Sequence, residues 1–152
     1  MKNSALILIL ILAISCNHKP DNGNSVASNP FLIGKWAGEG RFLDINLNNE
    51  VGVVKIEIEI KEDNTILGII GEAQLINASI TETKYGFEIK GKLDSELKKG
   101  SDLNKDHLII LLVIPEENRQ NVTKSEANFH LKSNYTFDFS MRVGGVLLTK
   151  EI

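Results

Sequence analysis

The side chains of this 152-residue chain that could do chemistry are few and scattered. Its one cysteine is Cys16, and its three histidines are His18, His107 and His130. None of them has a second histidine or cysteine at the spacing of a zinc site. A lone cysteine excludes an intrachain disulfide, and no Gly-x-Ser-x-Gly motif marks a nucleophile. The sequence therefore predicts a protein that is not an enzyme and that uses neither a metal nor another cofactor.

Two short acidic motifs leave calcium as an alternative. Residues 44–48 (Asp-x-Asn-x-Asn) and 102–106 (Asp-x-Asn-x-Asp) place oxygen side chains at alternate positions, as at the start of many calcium loops. The glycine that should follow is missing from both motifs, and Lys55 and Val113 occupy the positions of the closing glutamate. The sequence does not decide whether these loops bind calcium.

Cys16 stands at the end of an apolar segment. Lys2 is followed by the apolar run 5–14, which as a helix would be about 15 Å long, half of a ~30 Å hydrocarbon core. This pattern predicts a secretory signal peptide rather than a membrane span. Residues 13–16 (Ala-Ile-Ser-Cys) resemble a bacterial lipobox, which implies that the Cys16 thiol receives a diacylglycerol before residues 1–15 are removed. The alternative is an ordinary cleavage site, next to which the cysteine is incidental.

Residues 16–30 form a second segment, rich in Asn, Ser, Gly and Pro. Such a composition buries too little apolar surface to offset the entropy of ordering, so we expect a flexible tether that spans roughly 20 Å on average. Two or more acyl chains on Cys16 would hold the tether stably at a membrane. Asn17, directly after the cysteine, resembles the residue found there in outer-membrane lipoproteins. The expected location is therefore the bacterial cell envelope, with the membrane as a partner through Cys16.

Residues 31–152 form the third segment, which is long enough for one domain with a single core. The whole chain has a net charge of −3, and loss of Lys2 with the signal peptide makes it −4. This charge argues against a nucleic-acid-binding protein.

Apolar and polar residues alternate over most of this domain. In Val54–Lys61 every second residue is apolar, which places the apolar side chains on one face of a strand. The interleaved Glu57 and Glu59 predict a solvated outer face. Similar runs separated by turn signals predict eight or nine strands. Their approximate bounds are 35–45, 52–61, 65–71, 73–81, 85–93, 107–114, 126–132, 135–142 and 146–150.

The links between these strands are short, and no stretch has convincing helical periodicity. The sequence therefore predicts an all-β fold, in which an antiparallel up-and-down meander closes into a barrel and so leaves no exposed edge. A two-sheet β-sandwich is the alternative.

Two segments, Ile66–Ile70 and His107–Ile114, are apolar on both faces. We expect a loop or the N-terminal residues Phe31–Ile33 to cover their outer face. If nothing covers it, this face is a contact surface for a partner or a second copy.

The start of the domain, Gly34-Lys35-Trp36, resembles the opening of the lipocalin-like (calycin) barrels, whose first strand begins Gly-x-Trp. The resemblance implies that Trp36 lies at the closed end of the barrel and that a basic residue from a late strand packs over it. Arg142 and Lys150 are the candidates for this role. A cation over an aromatic face contributes about 0.5–2 kcal/mol.

The inward positions of the predicted strands either line a cavity or fill the barrel, because eight strands leave room for one small ligand at most. The first hypothesis is a membrane-tethered, non-enzymatic lipoprotein that binds a small apolar or amphipathic ligand inside the barrel. The alternative is a protein-interaction or inhibitor module with a filled barrel, which acts through loops 94–106 and 115–125. The candidate lining residues are Ile56, Ile58, Phe87, Ile89, Phe137 and Phe139.

Overall fold

The computed structural model describes residues 29–44, 49–98, 106–133, 141–143 and 146–151. Their secondary structure is almost entirely β, with one 3₁₀ turn at Pro30–Leu32 and one 3₁₀ helix at Glu116–Asn121. The strands are β1 (Gly34–Asp44), β2 (Asn49–Ile60), β3 (Ile66–Ile70), β4 (Ala73–Thr83), β5 (Gly86–Leu93), β6 (His107–Val113), β7 (Lys124–Lys132), β8 (Met141–Val143) and β9 (Val146–Lys150).

The strands form one closed antiparallel barrel with eight positions. Each strand from β1 to β7 pairs with the next one along the chain. The eighth position is shared, because β8 and β9 both pair with β7 on one side and with β1 on the other. On both neighbours the register shifts by one residue between β8 and β9. The predicted all-β, up-and-down barrel is confirmed, and the two-sheet sandwich is not the fold.

The predicted strand positions agree with the observed ones to within a few residues. The largest difference concerns the strand expected at 135–142, of which the structure describes only residues 141 and 142, within β8. Residues 134–140 lie outside the described residues, as do the predicted signal peptide and nearly all of the predicted tether. Both calcium-type motifs also fall mostly outside them.

The alternation of the sequence becomes an inner and an outer face. In β7, for example, Ser125, Ala127, Phe129 and Leu131 are buried, while the residues between them are exposed or half-buried. The buried apolar side chains on the strands are 4 % exposed or less, whereas Ala78 and Ile80 on β4, which pack against them, are half-buried. A void large enough for water would leave accessible area on the atoms that line it. The described interior is therefore packed with side chains, apart from the part of β4 that holds Ala78 and Ile80.

Two glycines on the inner face, Gly38 and Gly91, do not leave space either. A Cβ atom at Gly38 would lie 2.6 Å from the carbonyl oxygen of Leu147 and 3.1 Å from Cδ2 of Leu148. A Cβ atom at Gly91 would lie 2.6 Å from Cδ1 of Leu75. Leucine side chains from other strands therefore occupy the volume above these glycines.

The outer face of β3 corrects one prediction. Leu67 and Ile69 are 44 % and 48 % exposed, so neither a described loop nor the N-terminal residues cover them. The 3₁₀ turn at Pro30–Leu32 lies instead across the end of the barrel, where Leu32 is fully buried. The outer face of β3 is therefore uncovered among the described residues, and its use as a contact surface for a partner or a second copy stays a prediction.

Candidate functional site

The closed end of the barrel, where β1 begins and β9 ends, brings Trp36 and Lys150 together. The two residues are direct register partners across β1 and β9. Lys150 Nζ lies 5.6 Å from the centroid of the Trp36 ring and donates a 2.9 Å hydrogen bond to the Phe31 carbonyl oxygen. Trp36 is buried, and its Nε1 donates a 2.8 Å hydrogen bond to the Leu32 carbonyl oxygen. These two side chains therefore hold the 3₁₀ turn across the barrel end.

Gly34 makes this arrangement possible. Its φ of +131° is a backbone conformation that residues with a side chain rarely adopt. A Cβ atom there would also lie 2.8 Å from Cε of Lys150. The Gly-x-Trp motif thus has a local physical reason, because the glycine leaves room for the lysine stem and the tryptophan two residues later points to the same face.

A second cation closes the same end, and the sequence did not reveal it. The guanidinium carbon of Arg119 lies 5.1 Å from the Phe87 ring centroid and 6.0 Å from that of Phe31. Arg119 Nη1 also forms a 2.7 Å ion pair with Glu82 Oε1. Because Glu116–Asn121 is polar throughout, nothing in the sequence distinguished Arg119 from a solvent-exposed loop residue.

The other predicted site residues are distributed over the barrel. Ile56, Ile58, Phe87 and Ile89 point inward and are 0–2 % exposed. Arg142 pairs with Leu43 and His130, near the end of β1 that is remote from Trp36. The residues that lie outside the described part of the chain are Cys16, Phe137 and Phe139.

The first residues of loop 94–106 are hydrogen-bonded to the barrel and packed against it. The Asp94 carboxylate accepts hydrogen bonds from the Gln74 backbone N–H at 2.8 Å and from Ser95 Oγ at 2.9 Å. These bonds hold the pKa of Asp94 below its usual value. Leu97 is buried, and its carbonyl oxygen accepts a 2.8 Å hydrogen bond from the Glu72 N–H. Leu97 therefore joins the core and attaches the start of this loop to the barrel.

Loop 115–125 is also attached to the barrel. Arg119 and Val122 turn toward the closed end, and Ser125 Oγ donates a 3.0 Å hydrogen bond to the Glu126 carbonyl oxygen. The remaining side chains of the 3₁₀ helix, apart from Arg119, are exposed.

An exposed groove of about 400 Å³ lies near the closed end, on the outer face of β1–β3. Register pairing places Glu57 beside Ile69 and Glu59 beside Leu67, so each apolar side chain has a carboxylate as its neighbour. We call this surface the acidic groove; its charged and exposed apolar residues are Lys35, Glu57, Glu59, Leu67, Ile69 and Glu151.

The charges of the acidic groove, with the adjacent Lys55 counted, leave an excess of one carboxylate. The groove contains three carboxylates and one lysine. Lys55, outside the groove, lies 2.5 Å from Glu57 Oε1. Their hydrogen bond lowers the pKa of Glu57 and raises that of Lys55, so both side chains are charged at neutral pH. The groove therefore presents apolar side chains within a negatively charged frame.

In the part of the chain that the structure describes, no three histidine, cysteine or acidic side chains are grouped so that they could hold a metal ion. None of the described helices has the length and apolar character needed to cross a membrane. The fold defines the class of protein, a small closed up-and-down β-barrel. No protein-family model matches the chain, and no curated protein or solved structure matches it significantly.

Proposed function

We propose that this protein is a non-enzymatic lipoprotein of the bacterial cell envelope, in which a filled, lipocalin-like β-barrel acts as a protein-interaction module. The signal-like residues 1–15, the lipobox-like residues 13–16 and the polar segment 16–30 support a lipid anchor at Cys16. The Gly34-x-Trp36 start and the closed meander support the lipocalin-like family.

The observation that carries the interaction role is the packed interior. The four described candidate lining residues are 0–2 % exposed, and leucines fill the space above the inner glycines. A ligand inside the barrel would have to displace these side chains, and enlarging a packed core costs several kcal/mol. A filled barrel leaves its outer surface and its loops as the parts that can bind.

The acidic groove is the surface we assign to this role. Leu67 and Ile69 are large apolar side chains that the fold leaves exposed. Glu59 and Glu57 lie directly beside them on β2, and Glu151 lines the same groove. Charge complementarity favours one kind of occupant, a segment of another envelope protein that carries apolar side chains between lysines or arginines. The described parts of loops 94–106 and 115–125 pack on the barrel itself, which makes them secondary candidates.

The test begins with the full-length protein in its own envelope. A partner is captured by cross-linking, identified by mass spectrometry, and its basic apolar segment is made as a peptide. We expect the double variant Leu67→Lys/Ile69→Lys to bind this peptide at least about tenfold more weakly, because it removes the apolar contacts and adds like charge. Val53→Lys is the matched control, since Val53 is 59 % exposed on neighbouring β2 and lies outside the groove.

The result that would overturn the proposal is a partner whose affinity is the same for wild type and for the double variant. Binding of a small apolar or amphipathic ligand remains the competing prediction. Native mass spectrometry of the purified protein checks it, because a bound ligand would add a defined mass. The anchor is checked separately by labelling with an alkyne-tagged fatty acid, which should mark the wild type and leave Cys16→Ser unmarked.

A further inference from the structure

A second groove lies on the barrel wall formed by β4–β7, away from the acidic groove. Its volume is about 440 Å³, within the usual range for small-ligand sites. It opens beside an irregularity in β4, where the register with β5 shifts between Ile76 and Ser79. Asn77, inside this β-bulge, has a φ of +52°. Bulges of this kind re-aim side chains and are frequent beside functional sites. We call this surface the basic groove.

Three basic side chains cross the basic groove in one row. Register pairing places Lys92 opposite His107 and His107 opposite Lys132, all on the outer face. Directly opposed side chains on neighbouring strands have Cβ atoms about 4.5–5.5 Å apart. Lys92 and Lys132 therefore flank His107 at short range, and one anion above the histidine would be attracted by both ammonium groups.

The protein supplies only part of that negative charge. Asp106 Oδ1 lies 2.6 Å from His107 Nδ1, and Asp106 Oδ2 lies 3.9 Å from Lys92 Nζ. Lys90, also in the groove, pairs with Glu88. No carboxylate among the described residues pairs with Lys132. The groove thus has an excess of positive charge in a protein whose net charge is −3.

The polar side chains beside this row can complete an anion site. Asn77 and Ser79 line the basic groove together with Lys92, His107 and Lys132. An amide N–H and a hydroxyl donate hydrogen bonds, and ammonium groups attract oxyanions as point charges. We propose that the basic groove binds a phosphate-type oxyanion, either as a free phosphate compound or as the phosphate of a lipid headgroup. This site is independent of the acidic groove and of the function proposed above.

The experiment is isothermal titration calorimetry of the full-length protein in a non-ionic detergent, at constant ionic strength. Inorganic phosphate and glycerol phosphate are the soluble probes. We expect a saturable one-site isotherm, which Lys92→Gln and Lys132→Gln each weaken by about fivefold. Lys132→Arg should bind as wild type does. Lys124→Gln is the matched control, because Lys124 is exposed at the opposite end of the same strand.

Vesicles distinguish the two sources of the anion. Binding is measured to vesicles of phosphatidylcholine with phosphatidylglycerol and, for reference, to vesicles of pure phosphatidylcholine. Wild type, Lys132→Gln and Lys124→Gln are compared, each with Cys16→Ser so that acylation of Cys16 does not contribute. If Lys132→Gln weakens binding to the vesicles alone, the site binds a lipid headgroup. If Lys132→Gln weakens binding of the soluble probes, the site binds a free phosphate compound. The proposal is wrong if Lys132→Gln and Lys124→Gln have the same affinity for the soluble probes and for the vesicles. It is also wrong if neither the soluble probes nor the vesicles bind saturably.

Discussion

Replacement of Lys150 by methionine tests whether the closed end of the barrel holds the fold together. Methionine keeps the length and most of the apolar stem of lysine but removes the ammonium group. The change deletes the hydrogen bond to the Phe31 carbonyl oxygen and the contact with the Trp36 ring. A hydrogen bond to a charged group contributes about 1.5–3 kcal/mol, and a cation–π contact about 0.5–2 kcal/mol.

These contributions do not add in full. Lys150 is only half-buried, and ordering its side chain costs up to about 2 kcal/mol of rotamer entropy, which methionine partly recovers. We therefore expect Lys150→Met to lower the free energy of unfolding by about 1–3 kcal/mol. With a urea m-value of about 1–3 kcal/mol per molar, the midpoint should fall by roughly 1 M.

The assay is urea unfolding followed by circular dichroism and by tryptophan fluorescence. Because Trp36 is the only tryptophan, the fluorescence reports directly on the closed end. A double-mutant cycle with Trp36→Leu isolates the coupling between the two side chains, which should be about 1 kcal/mol. Circular dichroism alone follows the variants of this cycle that lack the tryptophan. Lys124→Met is the control on an exposed lysine and should change stability by less than about 0.5 kcal/mol. The reasoning is refuted if Lys150→Met is as stable as this control, or if the coupling is zero.

Two further predictions concern the segment at the start of loop 94–106. Because the pKa of Asp94 is lowered in the folded protein, the unfolded chain takes up a proton at this residue first as pH falls. Wild type should therefore lose stability relative to Asp94→Asn below about pH 4. Above about pH 5 the difference in unfolding free energy between the two proteins should stay constant. Urea midpoints of both proteins between about pH 3 and pH 7 check this, and a difference that does not vary with pH contradicts it. Leu97→Ala should cost about 2–4 kcal/mol of unfolding free energy, because Leu97 is 2 % exposed, whereas the exposed Lys98→Ala should cost less than about 0.5 kcal/mol. Equal unfolding midpoints for Leu97→Ala and Lys98→Ala would show that Leu97 does not contribute to the core.

The sequence was sufficient where a local pattern determines the structure. Strict alternation in Val54–Lys61 defines which side chains of β2 face inward, because a strand turns successive side chains to opposite faces. Repetition of such runs with short links then leaves few topologies open. The barrel was predictable for this reason, and so was the inward position of Ile56, Ile58, Phe87 and Ile89.

Features that depend on distant parts of the chain were not predictable in the same way. Whether Gly38 borders a cavity depends on Leu148, which comes from the last strand, more than a hundred positions away. The exposure of Leu67 and Ile69 depends on where the N-terminal residues lie, and these pack across the barrel end instead. Arg119 is a closing residue only because its 3₁₀ helix folds back over Phe87. No local spacing encodes such contacts.

The shared eighth position has a consequence for the order in which the barrel folds. Every pairing from β1–β2 to β6–β7 joins neighbours in the chain, whereas the last one joins Trp36 to Lys150, and the hydrogen bond from Lys150 to Phe31 spans 119 positions. Closing so long a loop is entropically unfavourable until the intervening meander has formed. Among the described residues, β1 is paired with β8 only at Phe42–Asp44 and with β9 only at Trp36 and Ala37. This seam should form last during folding and open first in the native state, so its amide protons should exchange with solvent before those of β5 and β6.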